Sequence, residues 1–229
     1  MTRVCVIAAH PDDEILGCGG TIAWHAERGD TVRILILGEG AKARVKSKAA
    51  RGAGVEIRAL QKAARGAAQI LGAKSVDFLG LPDNRMDTVA LLDISQSIEK
   101  FFAKVAPTIV YTHHFGDLNI DHQITHRATV TACRPFPGQS IRALYTFETV
   151  SSTEWASGSS ASMFVPARFV DVSAHLEQKM RALGCYRAEM RPFPHARSLE
   201  NVEALARTRG ATVGVTAAEA FGVIRETVS

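Results

Sequence analysis

The sequence predicts an α/β fold of Rossmann-like type: a mostly parallel sheet with helices on both faces, followed by an irregular C-terminal third. Short runs rich in β-branched residues alternate with segments of helical composition over the first 135 residues. This alternation is typical of a parallel sheet with crossover helices. The chain has 229 residues, enough to bury a large core, and neither an internal repeat nor a long linker divides it. We therefore predict a single domain over residues 1–229.

The first 37 residues form one predicted βαβ unit with a right-handed crossover. Residues 3–9 (RVCVIAA) are an apolar run typical of a buried parallel strand. Residues 21–28 have helical composition and stop before Gly29, and residues 31–37 form the second strand.

The alternation continues as far as residue 133. The next predicted elements are helices over 55–71, 91–105 and 121–133 and strands over 75–79 and 108–112. A basic segment rich in small residues, 38–54, is predicted to be a loop with a short helix.

The C-terminal third has weaker periodicity. It contains predicted strands over 142–150 and 168–172 and predicted helices over 174–186 and 198–209. Residues 151–162, rich in Ser, Gly and Ala, are expected to form a flexible loop. Residues 216–226 are predicted to be a last helix or a mixture of strand and helix.

Charge and cysteine content restrict the class of protein. The net charge is +4, and part of the positive charge lies between Lys42 and Arg65. A solvated helix face accounts for that stretch, and attraction of anionic substrates is the alternative; we expect no nucleic-acid partner. The four cysteines contain no CxxC pair, which disfavours a disulfide framework or a cysteine-type zinc site. With no signal-peptide pattern and no run of 18 apolar residues, we expect a cytoplasmic protein without a membrane partner.

Two clusters of ionisable residues follow predicted strands. His10-Pro-Asp-Asp-Glu14 comes after the first strand, and His113-His-Phe-Gly-Asp-Leu-Asn-Ile-Asp-His122 comes after the strand 108–112. The carboxyl ends of parallel strands meet at one edge of a sheet, where ligands bind, so the two clusters can converge on one ion. Imidazole and carboxylate without thiolate suit catalytic Zn²⁺. An acidic helix N-terminus is the alternative explanation for the first cluster.

The string from Ala9 to Thr21 (AHPDDEILGCGGT) resembles the signature of the PIG-L/LmbE family of zinc-dependent N-deacetylases. The string Gly116-Asp-Leu-Asn-Ile-Asp-His122 resembles the family's second motif, and Leu79-Gly-Leu-Pro-Asp83 resembles a third segment. The resemblance is strongest over 3–40 and 76–135, and RPFPH at 191–195 is similar to one branch of the family.

This resemblance implies that His10, Asp13 and His122 bind zinc and that Asp12 is the general base that takes a proton from zinc-bound water. Glu14 would support the site from outside the ligand set. The implied reaction is hydrolysis of an acetamide to acetate and a free amine. The family also implies a homo-oligomer, with a hexamer as one form.

One position departs from the family pattern. Many members carry a histidine three residues before the third ligand, where this sequence has Asn119. Asparagine can donate a hydrogen bond to an oxyanion, but it cannot supply a proton. We predict that Asn119 orients the substrate or the oxyanion. The proton is then supplied by His113, His114 or His195, or is returned by Asp12 itself.

A further predicted strand is followed by Asp83, Asn84 and Arg85. We predict that these three residues contact the substrate; a turn is the alternative explanation for this loop. Asp121 is assigned to the substrate side of the site; it would orient a ligand or a catalytic group, or else cap a helix. The predicted function is a zinc-dependent hydrolase that removes an acetyl group from an N-acetylated amino sugar or a small conjugate of one. The alternatives are a metal-dependent amidase acting on a non-sugar N-acyl metabolite and a non-catalytic sugar or nucleotide-sugar binding module.

Overall fold

Seven strands form one mixed sheet in the computed structural model, which describes residues 1–40 and 50–228, with the backbone alone for 50–53. The strands are β1 (Arg3–Ala8), β2 (Thr31–Gly38), β3 (Ser75–Leu81), β4 (Ile109–His113), β5 (Ala143–Phe147), β6 (Arg168–Asp171) and β7 (Ala218–Glu226). The α-helices are α1 (Asp13–Glu27), α2 (Ala50–Leu71), α3 (Leu91–Val105), α4 (Ile120–Ala132), α5 (Leu176–Leu183) and α6 (Leu199–Val213). Short 3₁₀ helices lie at Met86–Thr88, Thr153–Trp155 and Gly184–Tyr186.

The strand order is β3-β2-β1-β4-β5-β7-β6. Strands β1 to β5 pair in parallel, and β7 runs antiparallel to both β5 and β6. From β1 the chain winds outward through β2 and β3, and it then returns through β4 to build the other half. The carboxyl ends of β1 and β4 therefore diverge at a topological switch point, which is where open α/β sheets form their binding crevice.

Helices cover both faces of the sheet, as the sequence predicts. Apolar residues of α1, α2, α5 and α6 pack on one face, for example Ile22, Leu71, Leu183 and Val202. Residues of α3 and α4 pack on the other face, represented by Ile98. The fold class predicted from the sequence is thus confirmed.

The last element is a strand over its whole length, so the predicted helical portion of 216–226 is wrong. β7 pairs with β5 through Phe147 and Phe221 and with β6 through Val170 and Glu219. Two neighbouring strands supply hydrogen-bond partners here, and this tertiary pairing overrides the local preference of an Ala- and Glu-containing segment. The predicted strand 142–150 is shorter than expected, and α6 extends four residues beyond 209.

Helix α1 begins at Asp13, eight residues before its predicted start, and it is kinked at Cys18 (φ −149°, ψ 27°). The backbone N–H groups of Gly20 and Thr21, freed by the kink, donate to the carboxylate of Glu219 at 2.9 and 2.7 Å. Gly17 lies so close to Phe147 that an added Cβ would be 2.2 Å from its ring. The glycines thus let the first turn of α1 pack directly on β5.

Two sequence predictions fall partly or wholly outside the described residues. The side chains of the basic residues from Lys42 to Arg51 are not described, and residues 41–49, which are most of the predicted loop over 38–54, lie outside the described residues altogether. Among the helices that are described, none combines the length and the apolar character needed to cross a membrane.

Candidate metal centre and catalytic cavity

The two predicted clusters meet at the switch point between β1 and β4. His10 and Asp12 lie in the turn after β1, and Asp13 is the first residue of α1. Asp117 and His122 lie in the loop after β4 and in the first turn of α4. The adjacent parallel strands bring these two distant segments to one edge of the sheet.

Asp121 orients the imidazole of His10. The Nε2 atom of His10 is 2.9 Å from Oδ2 of Asp121, and an ionised carboxylate only accepts hydrogen bonds, so Nε2 carries the proton. The Nδ1 atom of His10 is then unprotonated in the neutral ring and faces Oδ2 of Asp13 at 3.2 Å. A carboxylate behind a histidine is the usual arrangement around a metal ligand.

A carboxylate also lies behind His122, at ion-pair distance. Its Nδ1 atom lies 3.2 Å from Oδ2 of Asp117, and its Nε2 atom lies 3.1 Å from Oδ2 of Asp13. Asp117 is itself held by the Asn119 N–H at 3.0 Å and the Thr153 hydroxyl at 2.8 Å, and it also accepts from the hydroxyl of Ser152. The loop at 151–153, expected to be flexible, is therefore tied to the site.

Three donor atoms converge as a result. One ligand atom each from His10, Asp13 and His122 lie within 4.8 Å of one another, and all three side chains are buried or nearly so. Two imidazoles and one carboxylate form a donor set that catalytic Zn²⁺ commonly has, with a fourth position left for water or substrate. The residues present thus fit a zinc ion.

The electrostatics match a cation site. Burial lowers the pKa of both imidazoles, but the hydrogen bonds and charges of Asp121 and Asp13 raise the pKa of His10 to about 10. Asp13 and Asp117 likewise raise the pKa of His122 to about 9 against burial. Burial also raises the pKa of Asp13, yet His122 and His10 hold it well below its usual range. Protons therefore occupy the imidazoles in the free protein, and a bound metal ion would replace them.

Asp12 lines the same cavity as these ligands but has a different partner. Its Oδ2 atom accepts from Nη1 of Arg197 at 2.9 Å. Burial raises the pKa of Asp12 to about 7, and Arg197 opposes that rise. A carboxylate that titrates near neutral pH suits a general base. The adjacent carboxylates of Asp12 and Asp13 thus face different partners, as the sequence predicts.

Asn119 caps helix α4. Its Oδ1 atom accepts from the Asp121 N–H at 2.8 Å, which fixes the amide orientation, and its Nδ2 atom donates to Oδ1 of Asn84 at 3.2 Å. The amide N–H₂ group therefore lies at the cavity and is available as a donor. The alternative of helix capping, considered for Asp121, belongs to Asn119 instead.

The loop after β3 contributes two of its three predicted residues. Asp83 is buried, 3.5 Å from Nε2 of His10, and Asn84 lies at the cavity. Arg85 is exposed and is not among the residues that line the cavity, so its contact with substrate stays a prediction. Its backbone instead begins the 3₁₀ helix at Met86.

His113 is buried next to the candidate ligand His122. Its Nε2 atom accepts from the Ala9 N–H at 2.9 Å, so the proton sits on Nδ1, 3.3 Å from the hydroxyl of Thr149. The ring stacks on His122 with centroids 3.9 Å apart. Burial and His122 hold the pKa of His113 well below its usual range. The predicted role of His113 as a proton donor is not supported by this position.

The other candidate histidines also lie outside the cavity. His195 is exposed, and its Nδ1 atom accepts from the Arg197 N–H at 3.0 Å. His114 is buried, with Nε2 2.8 Å from the carbonyl oxygen of Ser162. Neither His195 nor His114 lines the cavity that contains the ligand atoms.

The cavity has a volume of about 130 Å³. It is lined by His10, Pro11, Asp12, Asp13, Gly40, Asp83, Asn84, Asn119, His122, Ser151, Ser152 and Arg197. Three polar residues of this lining, Ser151, Ser152 and Arg197, were not predicted from the sequence. Arg197 is a single arginine in a loop and belongs to no recognisable motif. The turn-like segment RPFPH next to it was the only available signal, and that segment drew attention to His195 instead.

Known proteins resemble this chain in sequence and in fold. An uncharacterized deacetylase, YaiS of Escherichia coli strain K12, is 29% identical over 143 residues, which are 58% of this chain and 69% of that protein. The crystal structure of GalB, the 4-carboxy-2-hydroxymuconate hydratase of Pseudomonas putida KT2440, is similar to this chain with a TM-score of 0.78 at 25% identity. The match covers 100% of this chain and 98% of the hydratase chain. The N,N'-diacetylchitobiose deacetylase of Pyrococcus horikoshii has a TM-score of 0.77 at 19% identity, covering 97% and 83%, and shares the fold.

Residues 5–133, more than half of the chain, match the PIG-L family, described as GlcNAc-PI de-N-acetylase. That range contains all three converging ligand residues and Asp12, whereas Arg197 lies beyond it. The chain belongs to the PIG-L family of de-N-acetylases.

Proposed function

We propose that this chain is a zinc-dependent hydrolase that removes the acetyl group of an N-acetylated amino sugar or a small conjugate of one. The observation that supports the proposal most strongly is the convergence of His10, Asp13 and His122 within 4.8 Å at the wall of a cavity that Asp12 also lines. Family membership supports the reaction class, and the donor chemistry supports the metal.

Zn²⁺ held by His10, Asp13 and His122 would acidify a water molecule and polarise the amide carbonyl. Asp12 takes the proton that this water loses as it adds to the carbonyl carbon. Arg197, 2.9 Å from Asp12, favours the ionised form of the base. Asn119 donates a hydrogen bond to the carbonyl oxygen as negative charge develops on it.

The leaving amine needs a proton when the C–N bond breaks. Neither His113, His114 nor His195 lines the cavity, and the amide of Asn119 has no proton to give. Asp12 therefore returns to the nitrogen the proton that it took from water. The second proton of the added water leaves the new carboxyl group, so the products are acetate and a protonated amine, and the atoms and charges balance without another acid.

The polar cavity wall fits a hydroxylated substrate. Asp83 and Asn84 approach the ligand residues from the loop after β3, and Ser151 approaches from the opposite side with Arg197. Carboxylate, amide and hydroxyl groups can each bond sugar hydroxyls. We propose Asp83 and Asn84 as substrate contacts, and we propose a small-molecule partner rather than a macromolecular one.

A second function, the metal-dependent hydration of an unsaturated carboxylate, has specific support. The hydratase of Pseudomonas putida matches over the full chain, and hydration forms no leaving amine, so a site without a separate proton donor suffices. The guanidinium of Arg197 in the cavity wall is a group that can bind a carboxylate.

One experiment separates the two reactions. Zinc-loaded protein is incubated with N-acetyl sugars, nucleotide sugars and acetylated metabolites, and free acetate is measured. Conjugated di- and tricarboxylates are tested in parallel by loss of ultraviolet absorbance. We expect acetate release that disappears in Asp12→Asn. Hydration without any acetate release would favour the second function over the first. If fully zinc-loaded protein acts on neither panel of substrates, both proposed functions are contradicted.

A further inference from the structure

Asp12 has a backbone conformation that side-chain-bearing residues rarely adopt. Its φ is 109° and its ψ is −29°, and a positive φ is strained for any residue with a Cβ. Such strain persists only where the surroundings impose it. The contacts around the Asp12 backbone therefore identify what holds the base in place.

Glu14 holds the Asp12 amide. Its Oε2 atom accepts the Asp12 N–H at 3.0 Å, and its Oε1 atom accepts the hydroxyl proton of Tyr186 at 2.5 Å. The Asp12 carbonyl in turn accepts from Ile15 and Leu16 in the first turn of α1, at 3.0 and 2.9 Å. Hydrogen bonds thus hold both the N–H and the carbonyl group of Asp12.

The chemistry of this contact is unusual for a core. Glu14 is fully buried and Tyr186 is 1% exposed. In the described part of the chain, the side-chain hydrogen bonds to the Glu14 carboxylate come from an amide and a hydroxyl, and neither is a cation. Burying a carboxylate without a cationic partner is costly, and an apolar side chain of similar volume would stabilise a core at least as well. Folding alone does not account for the carboxylate.

We propose that Glu14 and Tyr186 are positioning residues that hold Asp12 in its strained conformation and so direct its carboxylate into the cavity. This inference rests on the proposed role of Asp12 as the general base. It also assigns a function to Tyr186, which lies 172 residues from Glu14 and outside the segment 5–133 that matches the family.

The consequence is a separation of metal binding from catalysis. Asp13 faces His10 and His122, whereas Glu14 contacts the Asp12 amide. Releasing the Asp12 amide lets the residue relax toward negative φ, which moves its carboxylate relative to the reacting atoms. A misplacement of about 1 Å can cost about 100-fold in rate, while the three metal ligands keep their supports.

The test compares Glu14→Met, Glu14→Gln and Tyr186→Phe. Methionine preserves the volume but accepts no hydrogen bond from the amide, so kcat should fall about 100-fold with KM and zinc stoichiometry unchanged. Glutamine can still accept from the Asp12 N–H through Oε1 and donate to Tyr186, so it should restore kcat. Tyr186→Phe should lower kcat by a smaller factor. Tyr111→Phe is the matched control, since it also removes a buried hydroxyl that is hydrogen-bonded, here 3.1 Å from His25, and it should leave kcat unchanged.

Two readouts separate positioning from a general loss of structure. In an Asp12→Ala background, Glu14→Met should cause no further loss of residual rate, whereas an additive loss would contradict the proposal. Crystal structures should show a negative φ at Asp12 in Glu14→Met and a positive φ in Glu14→Gln. A positive φ in Glu14→Met would overturn the positioning role even if Asp12 is the base. Normal activity of Asp12→Asn would overturn the proposed function, while the φ measurement still decides what holds Asp12.

Discussion

Asp121 accepts a hydrogen bond from Nε2 of His10 at 2.9 Å, across 111 residues of sequence. The same carboxylate accepts the backbone N–H groups of Asn84 at 2.7 Å and Met86 at 3.0 Å. One buried side chain therefore orients a proposed metal ligand and fixes the loop that carries Asp83. This relationship predicts that residues outside the ligand set control metal affinity.

Asp121→Asn should weaken zinc binding although Asp121 is not one of the three proposed ligands. Losing the carboxylate behind a ligating histidine typically costs about 10- to 100-fold in metal affinity. Competition with a chromophoric chelator measures the change. Asp87→Asn, which alters an exposed carboxylate in the adjacent 3₁₀ helix, is the control and should bind as wild type. Equal affinities of Asp121→Asn and wild type would contradict the assignment.

Arg197→Met should shift the acidic limb of the pH–rate profile to higher pH. Burial raises the pKa of Asp12 to about 7 and Arg197 opposes that rise, so removing the cation raises the pKa further. A general base is active when deprotonated, so activity is lost as pH falls through this pKa. The measurement is kcat/KM between pH 5 and 9 in zinc-loaded protein. Arg209→Met, which breaks the ion pair with Glu148, should leave the limb in place.

Asn119→Asp and Asn119→Ala separate helix capping from catalysis. Aspartate can still accept the Asp121 N–H but lacks the amide donor, so kcat should fall about 100-fold or more, as for loss of an oxyanion donor. Alanine loses the donor and the cap, so it should show the same kcat loss plus about 1 kcal/mol lower stability. If Asn119→Asp keeps wild-type kcat, Asn119 is a cap alone.

The metal-free protein should lose stability as pH rises above neutral. The pKa values of His10 and His122 are raised to about 10 and about 9, compared with about 6.5 when unfolded. A raised pKa stabilises the folded state fully below the unfolded value, and this contribution is lost as pH rises through the folded value. Calorimetry from pH 6.5 to 9.5 should show a falling Tm without zinc and a growing difference from zinc-loaded protein. A constant difference would mean that the two imidazoles do not bind protons and zinc in competition.

The parallel half of the fold follows from local sequence. Runs such as Val4 to Ala8 are apolar and β-branched because both faces of a parallel sheet are buried, and this makes them recognisable. β7 was not recognisable, because its strand state depends on pairing with β5 and β6 rather than on its own pattern. The start of α1 was hidden for a similar reason, since Glu219 and the packing of Gly17 on Phe147 stabilise it from a distance.

The residues of the candidate site likewise divide into those that could be predicted from the sequence and those that could not. Two clusters of imidazoles and carboxylates at strand ends indicated a metal site, and the resemblance of their motifs to the PIG-L/LmbE family implied His10, Asp13 and His122 as its ligands. Arg197 was not predicted, because it reaches Asp12 from 185 residues away and its role exists only once the chain has folded. The position of His113 could not be predicted either, because the sequence does not reveal that the Ala9 N–H donates to its ring nitrogen.

Anomalous diffraction at the zinc edge, from crystals of zinc-loaded protein, tests the central claim most directly. We predict one strong peak about 2.0–2.2 Å from Nδ1 of His10, a carboxylate oxygen of Asp13 and Nε2 of His122. A peak at other residues, or none at these three in fully loaded protein, would contradict it.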